Sequence, residues 1–229
     1  MCGRFTDRYS WRELKELYDI TTPYLESNFP PRTNIAPTQN SFVVRRDKQG
    51  GRELVEMKWG LVPSWSKDGK IPGLTINAKA ESASVKPAFR AAYKARPCLV
   101  VADGFYEWQK RDANEKQPFF ITRKDNKPFA FAGLWEAWRA KDAAAGSPLM
   151  LTFTIMTCEP NALCARVHNR MPVMLAPEHW PGWLGTPEKR DALMKPFPAD
   201  DMTMWPVSKA VGSVKNTGAE LVERVELSA

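Results

Sequence analysis

Histidine is scarce in this chain: only His168 and His179 occur among 229 residues. A site built from several imidazoles is therefore excluded, and any proton relay by histidine rests on one or both of these. Cysteine is almost as sparse. The four, at positions 2, 98, 158 and 164, lack the density of a secreted disulfide scaffold, and a reducing compartment suits them better. Cys158, Cys164 and His168 follow a C-x5-C-x3-H spacing without the tight C-x2-C pair of most zinc sites, so neither a metal nor another cofactor is expected. Long apolar runs are missing too. A stretch such as Leu99 to Ala102 falls far short of the ~20 residues that cross a bilayer, and no charged segment followed by an apolar run opens the sequence. An intracellular protein with no membrane partner is the expectation. Repeats, low-complexity tracts and composition breaks are also absent, which favours one domain over residues 1–229.

What is abundant is large aromatic residues. With 9 Trp, 11 Phe and 43% hydrophobic residues, the chain has material for a substantial core. Basic residues outnumber acidic ones by 33 to 26, a formal charge of +7, which favours a polyanionic partner. The basic residues are dispersed, so an anion site has to be assembled by folding.

Ser10-Trp11-Arg12-Glu13 is a capping-box pattern, and Leu14, Leu17 and Tyr18 follow at helical spacing, so a helix runs to about Asp19. Residues 23–37 carry Pro23, Pro30, Pro31 and Pro37, which argues for an extended connection. Phe42–Val44 and the alternating Val55, Met57 and Trp59 read as strands joined through Gly50-Gly51. Leu99–Ala102, Tyr106–Trp108, Phe119–Ile121, Phe129–Phe131 and Leu151–Ile155 are further short, β-branched or aromatic strands. Helices are expected near 85–95, after Pro160, after Pro177 and from Thr186 to Lys195. The pattern is α+β: a single domain on a curled, largely antiparallel β-sheet or barrel with a few short flanking helices.

Candidate chemistry begins at Met1-Cys2-Gly3-Arg4-Phe5. Removal of Met1 leaves a cysteine whose α-amine and thiol sit on adjacent carbons, a pair that can capture an aldehyde as a Schiff base and then close a thiazolidine ring. Cysteine at position 2 has no such meaning without supporting residues. His168, in Val167-His168-Asn169-Arg170-Met171-Pro172, reads as a loop residue able to relay protons or as a plain surface histidine. His179 reads as a packing or capping residue. Glu107, inside the aromatic Gly104-Phe105-Tyr106-Glu107-Trp108, either faces solvent or is desolvated, with its pKa raised toward neutrality. Asn77 could orient a bound group or form a turn. Cys98 reads as a buried small hydrophobe. Basic and aromatic residues interleave around Arg4, Trp59–Trp65, Lys79 and Arg170, a mixture suited to single-stranded nucleic acid. Lys86, Arg90 and Lys94 form a basic helix face, either a solvated surface or a binding stripe.

The set Met1–Phe5, Asn34-Ile35-Ala36-Pro37-Thr38, Trp59-Gly60-Leu61-Val62-Pro63-Ser64-Trp65, Asn77-Ala78-Lys79-Ala80-Glu81, Gly104–Trp108 and His168–Pro172 resembles the SOS response-associated peptidase family, the abasic-site processing proteins. The similarity continues through Pro206–Gly212 to Asn216. It implies that Cys2, once exposed, attacks the open-chain aldehyde of an abasic site in single-stranded DNA, including at strand junctions. It further implies that Asn77 positions the deoxyribose, that Glu107 assists ring opening and proton transfer, and that His168 is an acid/base serving reversal or strand-cleaving, lyase-like chemistry. Carried over by position, Arg4, Lys79 and Arg170 contact phosphate, Trp65 wedges against a base, and Asn34, Pro37 and Thr157 line the groove. The resemblance suggests a cytoplasmic, nucleoid-associated monomer. Where many members have arginine, this chain has Lys79, which replaces a bidentate clamp with a point charge; where some have paired tryptophans it has Trp65-Ser66. The peptidase part of the family name fits removal of Met1 by the protein itself, and aminopeptidase action explains that removal equally well.

Two other readings share some of these features. An N-terminal nucleophile amidohydrolase also begins with Cys-Gly, but continues with an apolar strand where this chain has Arg4. A noncatalytic reader of single-stranded DNA would need no Cys2.

Overall fold

The chain folds, in a computed structural model that describes residues 2–21, 30–71, 75–112, 115–144 and 146–227, around two β-sheets. In chain order the strands are β1 (Arg4–Asp7), β2 (Arg32–Ile35), β3 (Asn40–Arg46), β4 (Arg52–Trp59), β5 (Asn77–Lys79), β6 (Pro97–Ala102), β7 (Gly104–Lys110), β8 (Lys116–Arg123), β9 (Phe129–Trp138), β10 (Met150–Cys158), β11 (Met171–Pro172), β12 (Met174–Leu175) and β13 (Met202–Pro206). Among the described residues four short α-helices accompany them: α1 (Trp11–Tyr18), α2 (Arg90–Ala95), α3 (Trp180–Trp183) and α4 (Pro187–Asp191).

Strands β10, β4, β3, β6 and β9 lie side by side, and β9 pairs back onto β10, closing a barrel. Closure leaves no free edge in that wall. All pairings in the barrel are antiparallel except β10 with β4, and β5 prolongs that parallel contact by pairing Ile155 with Asn77 and Thr157 with Lys79. The second sheet is antiparallel, in the order β13-β8-β7-β1-β2. The α+β class expected from the sequence is the one found.

The long strands form where apolar and β-branched residues are densest, and the barrel interior is filled by aromatic rings. Phe5, from the open sheet, reaches into it and meets Trp59 edge-on with ring centroids 5.0 Å apart, while Trp59 stacks on Phe153 at 6.2 Å. Burial of one such ring contributes roughly 1.5–3 kcal/mol. Phe5 therefore pins the N-terminal strand to the barrel, which fixes the position of Cys2 three residues earlier.

Helix α1 carries the expected capping box: the Glu13 amide donates to Ser10 Oγ, and the Ser10 amide donates to Glu13 Oε2 at 2.7 Å. It stops at Asp19, which adopts a left-handed φ of 51°. The β3–β4 hairpin also forms as expected. Gly50 takes a φ of +89°, and the Asp47 carboxylate accepts hydrogen bonds from the amides of Gln49 and Gly51.

Three helices are shorter than the sequence suggests. The 85–95 segment is a series of turns until Arg90, because Pro87 lacks an amide and restricts the residue before it. After Pro160 there is a single 3-10 turn, Cys164–Arg166, and the 186–195 helix is only Pro187–Asp191, with Pro196 close behind. Part of the proline-rich passage is regular: β2 pairs with β1 directly after Pro31. Pro23 lies outside the described residues.

Candidate functional site

Five segments converge where the open sheet meets the barrel. Cys2 precedes β1; Asn77 starts β5; Glu107 sits mid-β7; Thr157 is near the end of β10; and His168 and Arg170 lie in the loop between the 3-10 turn and β11. The pairing of Arg4 with Tyr106 and Phe5 with Phe105 sets the N-terminal residues along the stretch of β7 that carries Glu107. Parallel pairing of β5 with β10 sets Asn77 and Lys79 beside Ile155 and Thr157.

Cys2 is fully buried, and Asn77 and Glu107 are only 6% and 4% exposed. The Asn77 amide nitrogen donates to the Cys2 carbonyl at 2.9 Å, while its buried Oδ1 has no hydrogen-bond partner. Leaving such an acceptor unsatisfied costs about 1–3 kcal/mol, a cost that ordinary packing sites avoid. Burial pushes the Glu107 carboxyl up to about 7. Of the two readings the sequence left open for this residue, desolvation is the correct one. Burial first, and the neighbouring Glu107 carboxylate second, raise the Cys2 thiol well above its ordinary range. As it stands, this sulfur is a thiol and not a nucleophilic thiolate.

His168 is half-buried, and burial holds its pKa below the ordinary value. The Arg170 amide donates to His168 Nδ1 at 2.9 Å. The Arg170 carbonyl lies 3.3 Å from the same Nδ1; the shorter amide contact fits Nδ1 as acceptor, with the proton of the neutral ring on Nε2.

The residues carried over as nucleic-acid contacts divide into two groups. Trp65 is 62% exposed, and Lys79 is exposed with no ion-pair partner among the described residues. Pro37 is half-buried in the tight turn before β3. By contrast, Arg4 donates to Asn34 Oδ1 at 2.7 Å and to the carbonyls of Val211 and Gly212 at 2.6 and 3.0 Å. Asn34 itself donates to the carbonyls of Val211, Ser213 and Asn216. These two side chains tie the C-terminal segment to β1 and β2. Thr157 is buried, and its carbonyl accepts from Arg170 Nη2 at 2.6 Å. Arg170 also forms a two-pronged ion pair with Glu81, at 2.6 and 3.0 Å.

Two neighbours of the site carried no role in the sequence reading. Glu81 is one; its partner lies 89 residues away, a separation no local pattern reveals. Cys164 is the other. Burial and then the Glu107 carboxylate push its thiol up to about 12, which brings it into the same cluster. Cys98 is fully buried, as expected. His179 stands at the N-cap position of α3, at a helix start as the sequence suggests, but it is exposed rather than packed and its side chain makes no cap hydrogen bond. Lys86, Arg90 and Lys94 are all exposed. A cleft of about 930 Å3 lies between Arg32, Asn34, Asn40, Glu56 and Lys58. Its lining includes none of Cys2, Asn77, Glu107 or His168. Among the described residues no helix is long and apolar enough to cross a membrane.

A closed barrel is flanked by an antiparallel sheet, and where they meet a buried near-terminal cysteine lies with an asparagine and a glutamate whose pKa is raised. The family model described as SOS response associated peptidase matches residues 1–214, and the chain belongs to that family. It is 40% identical to the abasic site processing protein YoaM of Bacillus subtilis, over 97% of this chain and 98% of that one. It is 31% identical to the abasic site processing protein YedK of Escherichia coli, over 98% and 100%. A crystal structure of a protein from Bacteroides thetaiotaomicron superposes with a TM-score of 0.85 at 23% identity, covering 98% of this chain and all of that one, which is a likeness of fold.

Proposed function

We propose that the protein processes abasic sites in DNA by covalent capture on Cys2 after removal of Met1. The observation that carries the reading is the grouping of a buried Cys2, held through its carbonyl by Asn77, with Glu107 at a pKa of about 7. The relatives' names as abasic site processing proteins support it.

The freed α-amine of Cys2 adds to the aldehyde carbon of the ring-opened deoxyribose, and loss of water gives a Schiff base. The thiol then adds across the C=N bond, its proton passing to nitrogen, and the thiazolidine ring closes with one water released in all. Each step moves a proton, and a carboxyl at about 7 can both donate and accept near neutrality. Glu107 is therefore the main proton carrier. His168, neutral with its hydrogen on Nε2, donates to the sugar oxygens and assists reversal or strand cleavage. Asn77 fixes Cys2, and its unpartnered Oδ1 accepts from the new amine or from a sugar hydroxyl. Lys79 takes a backbone phosphate and Trp65 stacks on a base of a single strand; Arg4, Asn34, Pro37 and Thr157 shape the groove and Arg170 borders it.

The test is to incubate protein verified to lack Met1 with a single strand containing one abasic site. A denaturant-resistant adduct that disappears in Cys2→Ala is the expected result. An equal yield from Cys2→Ala would overturn the assignment.

A further inference from the structure

The Glu81 carboxylate stands where two of the cations expected to bind phosphate meet. Its two oxygens are 2.6 and 3.0 Å from Arg170 Nη1 and Nη2. Lys79, two residues earlier, lowers the Glu81 pKa further, after the larger effect of Arg170. The pair is asymmetric: the Arg170 side chain is 13% exposed, whereas that of Glu81 is 52% exposed. Arg170 is anchored from behind by the Thr157 carbonyl and, through its own amide, by His168. Glu81 is held less: besides Arg170 its carboxylate is stabilised only weakly, by its own backbone amide and by the charge of Lys79, and it sits exposed in a turn after β5. An anion arriving from solvent thus meets a fixed guanidinium covered by a displaceable carboxylate.

A carboxylate held by both prongs of an arginine fork presents the same charge and spacing as two oxygens of a phosphate diester. We propose that Glu81 occupies a backbone-phosphate subsite in the free protein and is exchanged for a DNA phosphate on binding. It makes Arg170 a conditional contact, because a strand must replace one ion pair by another and gains little net attraction there. Undamaged strands bind reversibly and bear this cost in full; an abasic strand offsets it by covalent capture. Glu81 is thereby a specificity-determining residue that weakens binding to intact DNA. This inference rests on the DNA reading above.

The test is equilibrium binding of a labelled single-stranded oligothymidine without an abasic site, measured across a salt series. Glu81→Gln frees Arg170 and should bind about 3- to 10-fold tighter at low salt. Its plot of log affinity against log salt should be steeper by about 0.7, the increment for one added phosphate contact on a single strand. Glu16→Gln on α1 adds the same charge far from the site and should change binding less than about twofold. Glu81→Asp, with a shorter reach, should fall between wild type and Glu81→Gln. Binding by Glu81→Gln that equals wild type, or matches the Glu16→Gln control, overturns the exchange. Weaker binding also overturns it and makes Glu81 a residue that positions Arg170. If wild type binds no single strand at all, both the exchange and the DNA reading fall; if wild type binds and forms the adduct, only the exchange is at stake.

Discussion

The two ends of strand β1 each lie beside a buried carboxyl pushed up to about 7. Glu107 adjoins the Cys2 end, and Asp7 terminates the strand itself. Burial is the leading cause in both. The neighbours differ. Asp7 is enclosed with Asp103, Tyr9, Tyr18 and Arg32, and Asp103 is in turn occupied by Thr6 Oγ1 at 2.7 Å and by the Arg8 guanidinium. Glu107 instead faces the thiols of Cys2 and Cys164, and Cys2 is held through its carbonyl by Asn77. A perturbed carboxyl thus identifies desolvation. Only the groups it faces decide whether the desolvation serves chemistry or is a by-product of packing.

That contrast can be broken by experiment. Glu107→Gln should slow adduct formation by about 100-fold or more, since it removes the principal proton carrier. It should also remove an inflection near pH 7 from the rate profile measured by single-turnover gel assay. His168→Ala should have a smaller effect on forward capture, about 10-fold, and a larger one on reversal in a chase with competing aldehyde. Lys79→Ala should leave the capture step intact at saturation while weakening binding to a single strand several-fold, with the salt slope reduced by about 0.7. Asp7→Asn should leave the capture rate unchanged. Its effect is on stability: the folded carboxyl at about 7 retains a proton that the unfolded chain, titrating near 3.8, has already released. The resulting contribution is present at low pH and lost as pH rises from about 4 to 7. Asp7→Asn should therefore gain about 1–3 kcal/mol over wild type near pH 8 in urea melts, and the difference should vanish toward pH 4. A capture defect in Asp7→Asn equal to that of Glu107→Gln would erase the distinction between the two ends.

Several local patterns were legible in the sequence, although the five-residue β13 was not among the strands read. The capping box at Ser10, the Gly50 hairpin and the long strands of the barrel all come from side-chain alternation or turn chemistry that acts within a few residues. The three-residue β5 and the two-residue β11 and β12 were not legible, because so few residues cannot display a period of two; β5 nonetheless carries Asn77. Proline made the helices look longer than they are, since it marks starts well and says little about length. At the site, motif resemblance brought out Cys2, Asn77, Glu107 and His168. It could not reveal that Arg4 and Arg170 already have protein acceptors, because those partners, Asn34, Val211, Gly212, Thr157 and Glu81, lie 13 to 208 residues away.

The central claim, that the residues at the Cys2 end of β1 form one covalent centre, is tested most directly by the mass of the denatured protein–DNA species. Protein lacking Met1, mixed with a strand bearing a single abasic site, should give a mass equal to the sum of the two minus one water, without any reducing agent. Peptide mapping should place the modification on Cys2. A species that survives only after borohydride reduction, or one mapped to a lysine, would contradict thiazolidine formation at Cys2.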